Sequence, residues 1–472
     1  MCAPDKKTGR KLEEDTARKV LSFFDLDYIS RMMPGKKDFV NVEVNGEQVQ
    51  FQKRLLLMNL REAHKVFLEE NFDNMIGLSK FCTLKPKHVI LLGTSGTHNV
   101  CVCIYHQNVK LLLENSLLKR CNPLDFEDPG FRSYLKLFMC EDPNEKCYLS
   151  ECPSCKDKDL QGYKNLILNS FRELEIPSVT VQQWEGTDRS NIVSKTKKID
   201  DFVSDLFRQL YKLKEHHYIS KSQSEYLQEL KQNLQPDELI IGGDFAENFQ
   251  FVIQDAIQSS YWSTDSATIF PWIVYHKEGD ELKNSSYVMI SDDLSHKTEA
   301  VATFQSKLID YLKGKHPNVK KVYYFSDGCG GQFKNCKNFS NLIHHKLDYG
   351  LDAEWHFFAT SHGKGPYDGI GGGLKRACTN YCLGKIYQDQ ITTPYQMFEW
   401  AQKHMTNIKV FYVNQFEVKS KLRELKERFD SARKVHGTRS YHSFIPIPEN
   451  LEMIRVKRIS KSSSSEVKRV MD

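Results

Sequence analysis

The chain has 472 residues, 40% hydrophobic and 27% charged, a globular composition too long for one ordinary domain. No apolar run approaches the roughly 20 residues needed to span a bilayer, and MCAPDKKTGRKLEEDTARK lacks a signal-peptide core, so a soluble, non-secreted protein with no membrane partner is expected. The net charge of +5 is unevenly placed: from Lys403 onward 16 Lys and Arg stand against 8 Asp and Glu, leaving the remainder slightly acidic.

Residues 1–90 are predicted as a helical and hairpin region. Helical spacing over 12–29 runs through Val20, Phe23 and Phe24 and stops at the Pro34-Gly35 pair. Val40, Val42 and Val44 alternate with polar residues before Asn45-Gly46, and Val49 and Phe51 after it, the pattern of a β-hairpin. A basic amphipathic helix over 55–67 follows, its charged face either solvated or set against nucleic acid.

Thirteen cysteines are clustered: nine precede residue 156, none lies between 156 and 328, and four lie in or just after the stretch around Asp327. An odd number in a chain expected to stay in a reducing compartment argues for metal rather than disulfides. Residues 91–160 are therefore predicted as a Cys/His zinc-binding module. Cys101, Cys103 and His106 fall within VCVCIYHQN, and Cys140, Cys147, Cys152 and Cys155 follow, the last pair on a Pro-Ser knuckle that turns two thiolates toward one ion. Such a set suits tetrahedral Zn2+. Cys103, His106, Cys152 and Cys155 make the best four, with a strand placing Cys101 and Cys103 on one side. Cys101, Cys140 and Cys147 either replace one of these or help hold a second ion. The competing reading is of buried structural cysteines or a redox pair. Cys82, Cys121 and His98 lack supporting spacing.

Residues 161–235 read as a helical linker or insertion. An isolated strand is predicted over 179–184, a helix through Phe202, Leu206, Leu210 and Leu213, and a second through Tyr226, Leu227 and Leu230. His216 and His217 fall between the two helices; adjacent residues do not share a helix face, so at most one of them is a ligand, and packing or capping is the expected role.

Residues 236–400 carry an α/β pattern. A short apolar run ends at Asp244, with Glu247 three residues on. Strands are predicted over 272–277 and 287–291, then a helix over 297–313 with Val301, Phe304, Leu308 and Tyr311 inward. A fourth strand ends in Asp327, and a helical face of Phe333, Cys336, Ser340, Ile343 and Leu347 follows. A fifth strand, 355–359, leads through a glycine-rich turn to Asp368 at the start of a helix. This order implies a mixed sheet whose first three strands form an antiparallel meander and whose first and fourth strands lie side by side.

Asp244, Asp327 and Asp368 then meet at one sheet edge, each a helix cap in the bland reading, Asp368 above all. Three adjacent carboxylates repel unless they share hard cations, which points to a divalent pair, Mg2+ or Mn2+, rather than Zn2+. Two such ions about 4 Å apart suit phosphodiester chemistry; Glu247 is a fallback ligand. HGKGPYDGIGGG matches neither the GxxxxGK[ST] nor the GxGxxG pattern, and its glycines suit close approach to polynucleotide phosphate. His362 and Lys364 are candidate contacts to scissile or flanking phosphate, His362 equally a loop cap, and Gln332 and Lys334 are placed to orient nucleic acid beside Asp327.

FSDGCGGQFKN, HFFATSHGKGPYDGIGG, GGDFAENF, VCVCIYHQNVKL and ECPSC together resemble a group of animal proteins that look like cut-and-paste DNA transposases, or host genes derived from them. The resemblance spans roughly residues 15–445 and implies an α/β, ribonuclease H-like DDE/D catalytic domain, a mixed sheet with flanking helices, preceded by a mainly helical region with the Cys/His zinc module. It implies that Asp244, Asp327 and Asp368 are the first, second and third metal-binding acids, the last two 41 residues apart. The third is an aspartate where many relatives have glutamate. It further implies a catalytic Mg2+ or Mn2+ pair, a structural Zn2+, cleavage and strand transfer on double-stranded DNA (element ends and target), a homo-oligomer on DNA and a nuclear location. The alternatives are a domesticated DNA-binding protein without strand transfer, and a different Mg2+-dependent nuclease.

Residues 401–472 are predicted as a basic extension. A helix over 395–404 and a strand over 408–413 lead to a charged helix over 417–432, then to RKVHGTRSYHSFIPIP and a disordered tail, VKRISKSSSSEVKRV. Arg433, Lys434, Arg439 and His442 are its candidate nucleic-acid contacts, with an ordinary solvated terminus as the alternative.

Overall fold

The apolar runs of the second half of the chain assemble into one ten-stranded mixed sheet. The computed structural model describes residues 12–26, 29–33, 39–44, 47–71, 75–91, 103–186, 191–253 and 265–472. Two helices matter before the sheet begins, α1 (Ile104–Asn115) and α2 (Ile199–Asn233). The strands are β1 (Glu238–Gly243), β2 (Ala246–Gln250), β3 (Ser266–Glu278), β4 (Glu281–Ser291), β5 (Lys321–Ser326), β6 (Asp352–Phe357), β7 (Ile408–Val413), β8 (Ser443–Ile447), β9 (Asn450–Lys457) and β10 (Glu466–Arg469). They lie in the order β7-β4-β3-β1-β5-β6-β8-β9-β10, with β2 also paired to β3. β1, β3 and β4 form the expected antiparallel meander, and β1 lies parallel to β5, which lies parallel to β6.

Helices cover both faces, as strands buried on two sides require. On one face α3 (Thr298–Lys315) and α4 (Cys336–Tyr349) bring Phe304, Leu308, Phe339 and Ile343 against Ile241 and Trp272. Leu347, expected on the inner side of α4, is instead 67% exposed, and Phe339 and Leu342 take the buried face. On the other face α5 (Pro366–Leu383) and α6 (Pro394–His404) bring Leu374, Cys378 and Met397 against Ile269, Ile290 and Val410.

The expected boundary at residue 400 does not exist in space, because β7 to β10 complete the same sheet. The tail expected to be disordered, 456–470, supplies the end of β9 and the whole of β10: Val456 is buried, and the serine run between the strands buries Ser460 and Ser462. Its composition reads as solvated, but its short apolar alternation finds a waiting sheet edge.

A second difference concerns the two helices expected around His216 and His217. They are one 35-residue helix, α2. Its first half packs Phe202, Leu206 and Leu210 with Leu112, Tyr134, Phe171 and Val181 of the cysteine-rich unit. Its end packs Leu227 against Ile240 and Tyr323 of the sheet. Between these faces the buried positions, Ile219 apart, are polar, among them Ser220, Gln223 and Ser224, so the hydrophobic period breaks while the helix does not.

The strand expected alone at 179–184 is one arm of a pair, Ser178–Glu185 with Asn191–Lys198. At the front, Phe23, Phe24, Phe67 and Phe81 form a small core among the helices Glu14–Phe24, Leu60–Glu70 and Leu78–Leu84. The helix expected from residue 55 begins at Leu60, where Asn59 and Glu62 form a capping box, and Leu55 and Leu56 belong to the strand Arg54–Leu56. The hairpin is present with Val42 opposite Val49, its turn residues 45–46 lying outside the described residues. Among the described residues no helix is long and apolar enough to cross a membrane.

Candidate metal centres

The parallel register of β1 and β5 pairs Gly242 with Phe325. Two residues further along each strand stand Asp244 and Asp327, which the same offset places side by side just past the strand ends, where neighbouring strands are about 4.8 Å apart. Each is held by the backbone: Asp244 Oδ1 accepts from Phe245 N at 2.8 Å, and Asp327 Oδ1 from Cys329 N at 3.0 Å. Asp368 is the third residue of α5, and its Oδ2 accepts from Gly365 N at 2.8 Å, so it takes part in the cap of its own helix. Burial first, and then the charges of Asp327 and Asp368, raise the Asp244 carboxyl to about 8. Burial also raises Asp327, opposed by the Cys329 N–H and by Lys334. Oxygen donors that cannot all carry charge together fit a hard divalent cation. Glu247, the fallback ligand, is exposed on β2.

Two tighter groups lie elsewhere: among the described residues their ligand atoms all fall within 4.8 Å of one another, and the three acids do not form so tight a set. The first is Cys103, His106, His216 and His362. Cys103 is the N-cap of α1, not a strand residue, so His106 stands one turn away. His216 comes from the middle of α2 and His362 from the loop between β6 and α5. Cys103 Sγ lies 3.1 Å from His216 Nε2, and the His362 ring centroid lies 5.4 Å from that of His106 and 5.1 Å from that of His216. Burial lowers His216 to about 4 and, with the neighbouring imidazoles, takes His106 well below its usual range, so these rings are neutral, the form that donates to a metal. His106 Nδ1 is buried with no hydrogen-bond partner. One thiol and three imidazoles, one of them with an orphaned nitrogen, fit a tetrahedral Zn2+-type ion.

The second group is Cys140, Cys147, Cys152 and Cys155. Cys140 Sγ lies 3.9 Å from Cys152 Sγ and 3.6 Å from Cys155 Sγ, too far for disulfides. Four 2.3 Å zinc–sulfur bonds give a tetrahedral edge of about 3.8 Å. The backbone of Cys155 lowers the Cys152 thiol to about 7, while burial pushes Cys155 up to about 12. The best four of the sequence thus divide: Cys103 and His106 go to one centre, Cys152 and Cys155 to the other, and the second-ion alternative describes Cys140 and Cys147. Cys101 lies outside the described residues.

His362, expected at a phosphate or as a loop cap, sits in the first group, and His216, of the pair in which at most one ligand was expected, joins it. Only Cys103 and His106, one turn apart on α1, share a local spacing; His216 and His362 come from distant parts of the chain, and the His216-His217 doublet was the one sequence signal for either of them. The expected nucleic-acid contacts also divide. Lys364, Lys434 and Arg439 are exposed and Gln332 is half-buried. Arg433 is exposed and ion-paired with Asp472. Two expectations are corrected. His442 is buried and bonds through Nδ1 to Arg458 O at 2.9 Å, because β8 carries its backbone into the sheet. Lys334 is also buried, its Nζ donating to Arg439 O at 3.3 Å, and burial lowers it to about 7 despite Asp327 nearby.

Three family models match, each described as a domain of unknown function: DUF8699 over residues 11–93, DUF8700 over 104–214 and DUF8701 over 223–460. A comparison with curated proteins finds no match. The three matches follow the front unit, the cysteine-rich unit and the sheet, and the last two meet within α2. Since the last match spans half of the chain, the protein belongs to the family described as Domain of unknown function (DUF8701).

Proposed function

We propose that the sheet unit is a ribonuclease H-like, divalent-metal-dependent phosphodiester-cleaving domain of transposase type that acts on double-stranded DNA, with Asp244, Asp327 and Asp368 as its acids. The observation that carries this reading is the β4-β3-β1-β5-β6 order, with its antiparallel meander, together with Asp244 and Asp327 in register past β1 and β5. In a sheet of mixed order, the point where neighbouring strands run outward on opposite sides is where polar groups converge. The Asp244 carboxyl, raised by burial first and then by the charges of Asp327 and Asp368, supports a shared site.

A Mg2+ or Mn2+ pair held by the three acids supplies activation of the attacking oxygen and stabilisation of the leaving one. The chain's own residues do the rest. Asp327 is fixed by the Cys329 N–H, Asp368 by the Gly365 N–H, and Lys334 sets a buried amine near Asp327. Lys364, Lys434 and Arg439 are exposed cations for the DNA backbone. Cys140, Cys147, Cys152 and Cys155 hold a structural Zn2+ in this reading. Assembly of copies on DNA and a nuclear location belong to the same proposal.

Nicking of supercoiled plasmid DNA with Mn2+ tests it, together with calorimetric Mn2+ titration of the DNA-free protein. Wild type is expected to nick and to bind Mn2+, and Asp327→Asn to lose both while keeping its circular dichroism spectrum. Equal Mn2+ binding by Asp327→Asn overturns the assignment of the acids.

A further inference from the structure

We propose that Cys103, His106, His216 and His362 hold a single Zn2+ that acts as a latch, tying the loop between β6 and α5 to α1 and α2 and thereby setting the positions of Asp327 and Asp368. The catalytic part of this inference rests on the reading of the three acids given above; the metal site and the latch do not.

The donors come from three parts of the chain that share no local structure: the first turn of α1, the middle of α2, and a loop of the sheet unit. Four protein donors close a tetrahedral shell, as in structural sites, and leave no position for substrate. His217 completes its surroundings. His106 Nε2 lies 3.0 Å from His217 Nδ1. A proton on His106 Nε2, donated to His217, leaves the lone pair of the unpartnered His106 Nδ1 for the ion. Thus adjacent histidines on one helix take different tasks, His216 ligating and His217 orienting a ligand. A cavity of about 270 Å3 between the front and cysteine-rich units reaches Cys103, His106, His217 and His362, providing a way in.

The link to the acids is one residue long. Gly363 follows His362 and packs on Asp327 so closely that a Cβ there would stand 2.6 Å from Asp327 Cβ. Tyr367 is buried and its hydroxyl donates to Gly363 O. Gly365 N then holds Asp368. Fixing the His362 ring therefore fixes a segment that touches one acid and caps another.

The test compares wild type with His216→Ala, which removes a donor remote from the acids, and His216→Cys, which restores one. Zinc per chain, measured by mass spectrometry, is expected at two in wild type, one in His216→Ala and two in His216→Cys. Cobalt substitution is expected to give a visible spectrum that changes between wild type and the cysteine variant. Hydrogen exchange over residues 359–368 should rise at least tenfold in His216→Ala and return in His216→Cys, with Mn2+ affinity falling and recovering in parallel. Undiminished zinc in His216→Ala overturns the site. One zinc lost with unchanged exchange over 359–368 overturns the latch. Wild type that binds no Mn2+, with zinc and exchange responding as expected, rejects the reading of the acids and leaves the latch standing. Should His216→Ala fail to fold, the cysteine variant decides: unchanged cobalt spectra in it and wild type overturn the site.

Discussion

Asp244 holds its proton to about 8 in the folded, metal-free chain, while its ordinary value is 3.8. Between those values the native state binds a proton that the unfolded state has released, so this group makes stability fall as pH rises through the window. The unfavourable contribution is absent below about 4 and complete above about 8. Thermal melts of the metal-free protein are expected to show this decline, and Asp244→Asn to flatten it. Mn2+ binding should release a proton and tighten toward pH 8, which calorimetry in buffers of different ionisation enthalpy measures directly. The positions of Asp244 and Asp327 at strand ends were legible from sequence because each closes an apolar run, a local pattern. The loss of Lys334 and His442 from the exposed contacts was not, since both sit in stretches whose basic and aromatic composition reads as surface.

At the scale of elements, the loop between β6 and α5 carries more constraint than its glycines suggest. Gly363→Ala must displace Asp327, because nothing flexible stands between the added methyl and the Asp327 Cβ. Its Mn2+ affinity is expected to fall at least tenfold, with a smaller effect on the melting temperature, read by titration and by thermal melt. In the cysteine-rich unit, Cys152→Ser with Cys155→Ser removes two of four closely placed thiols. One zinc per chain should be lost and the unit should lose protection, because the binding free energy of such an ion is also folding free energy; retained zinc would reject these ligands. The CxxC knuckle announced this centre within four residues. The middle of α2 hid the other one, since a helix that faces two bodies shows no single hydrophobic period.

For the whole molecule, α2 is the shared piece. Gln223 on it is fully buried, and its Nε2 donates to Phe357 O at 3.0 Å and Ser460 Oγ at 2.9 Å while its Oε1 accepts from Ser460 N at 2.8 Å. One side chain thus joins the helix, β6 and the segment after β9. Gln223→Leu keeps the volume and removes every partner, at a cost of roughly 1–3 kcal/mol for each buried group left unpaired. Urea unfolding is expected to show a loss of that size, and a neutral result would mean that the C-terminal strands dock without it. Arg458, paired with Glu151 at 3.0 Å and with Glu215, ties the same segment to the cysteine-rich unit and to α2.

The amino-acid order by itself determined β1, β3 to β7 and the helices between them, the antiparallel meander, the adjacency of β1 and β5, and the acids at their ends. All of these follow from short-range periodicity and from the rule that chain neighbours pack together. The division of the cysteines and histidines into two centres, the continuity of α2 and the capture of the C-terminal segment by the sheet were decided only by tertiary structure. The histidine centre, the two faces of α2 and the docking of the C-terminal strands depend on residues far apart in the chain meeting through packing, and no local pattern records which distant donor a buried thiol or imidazole will face.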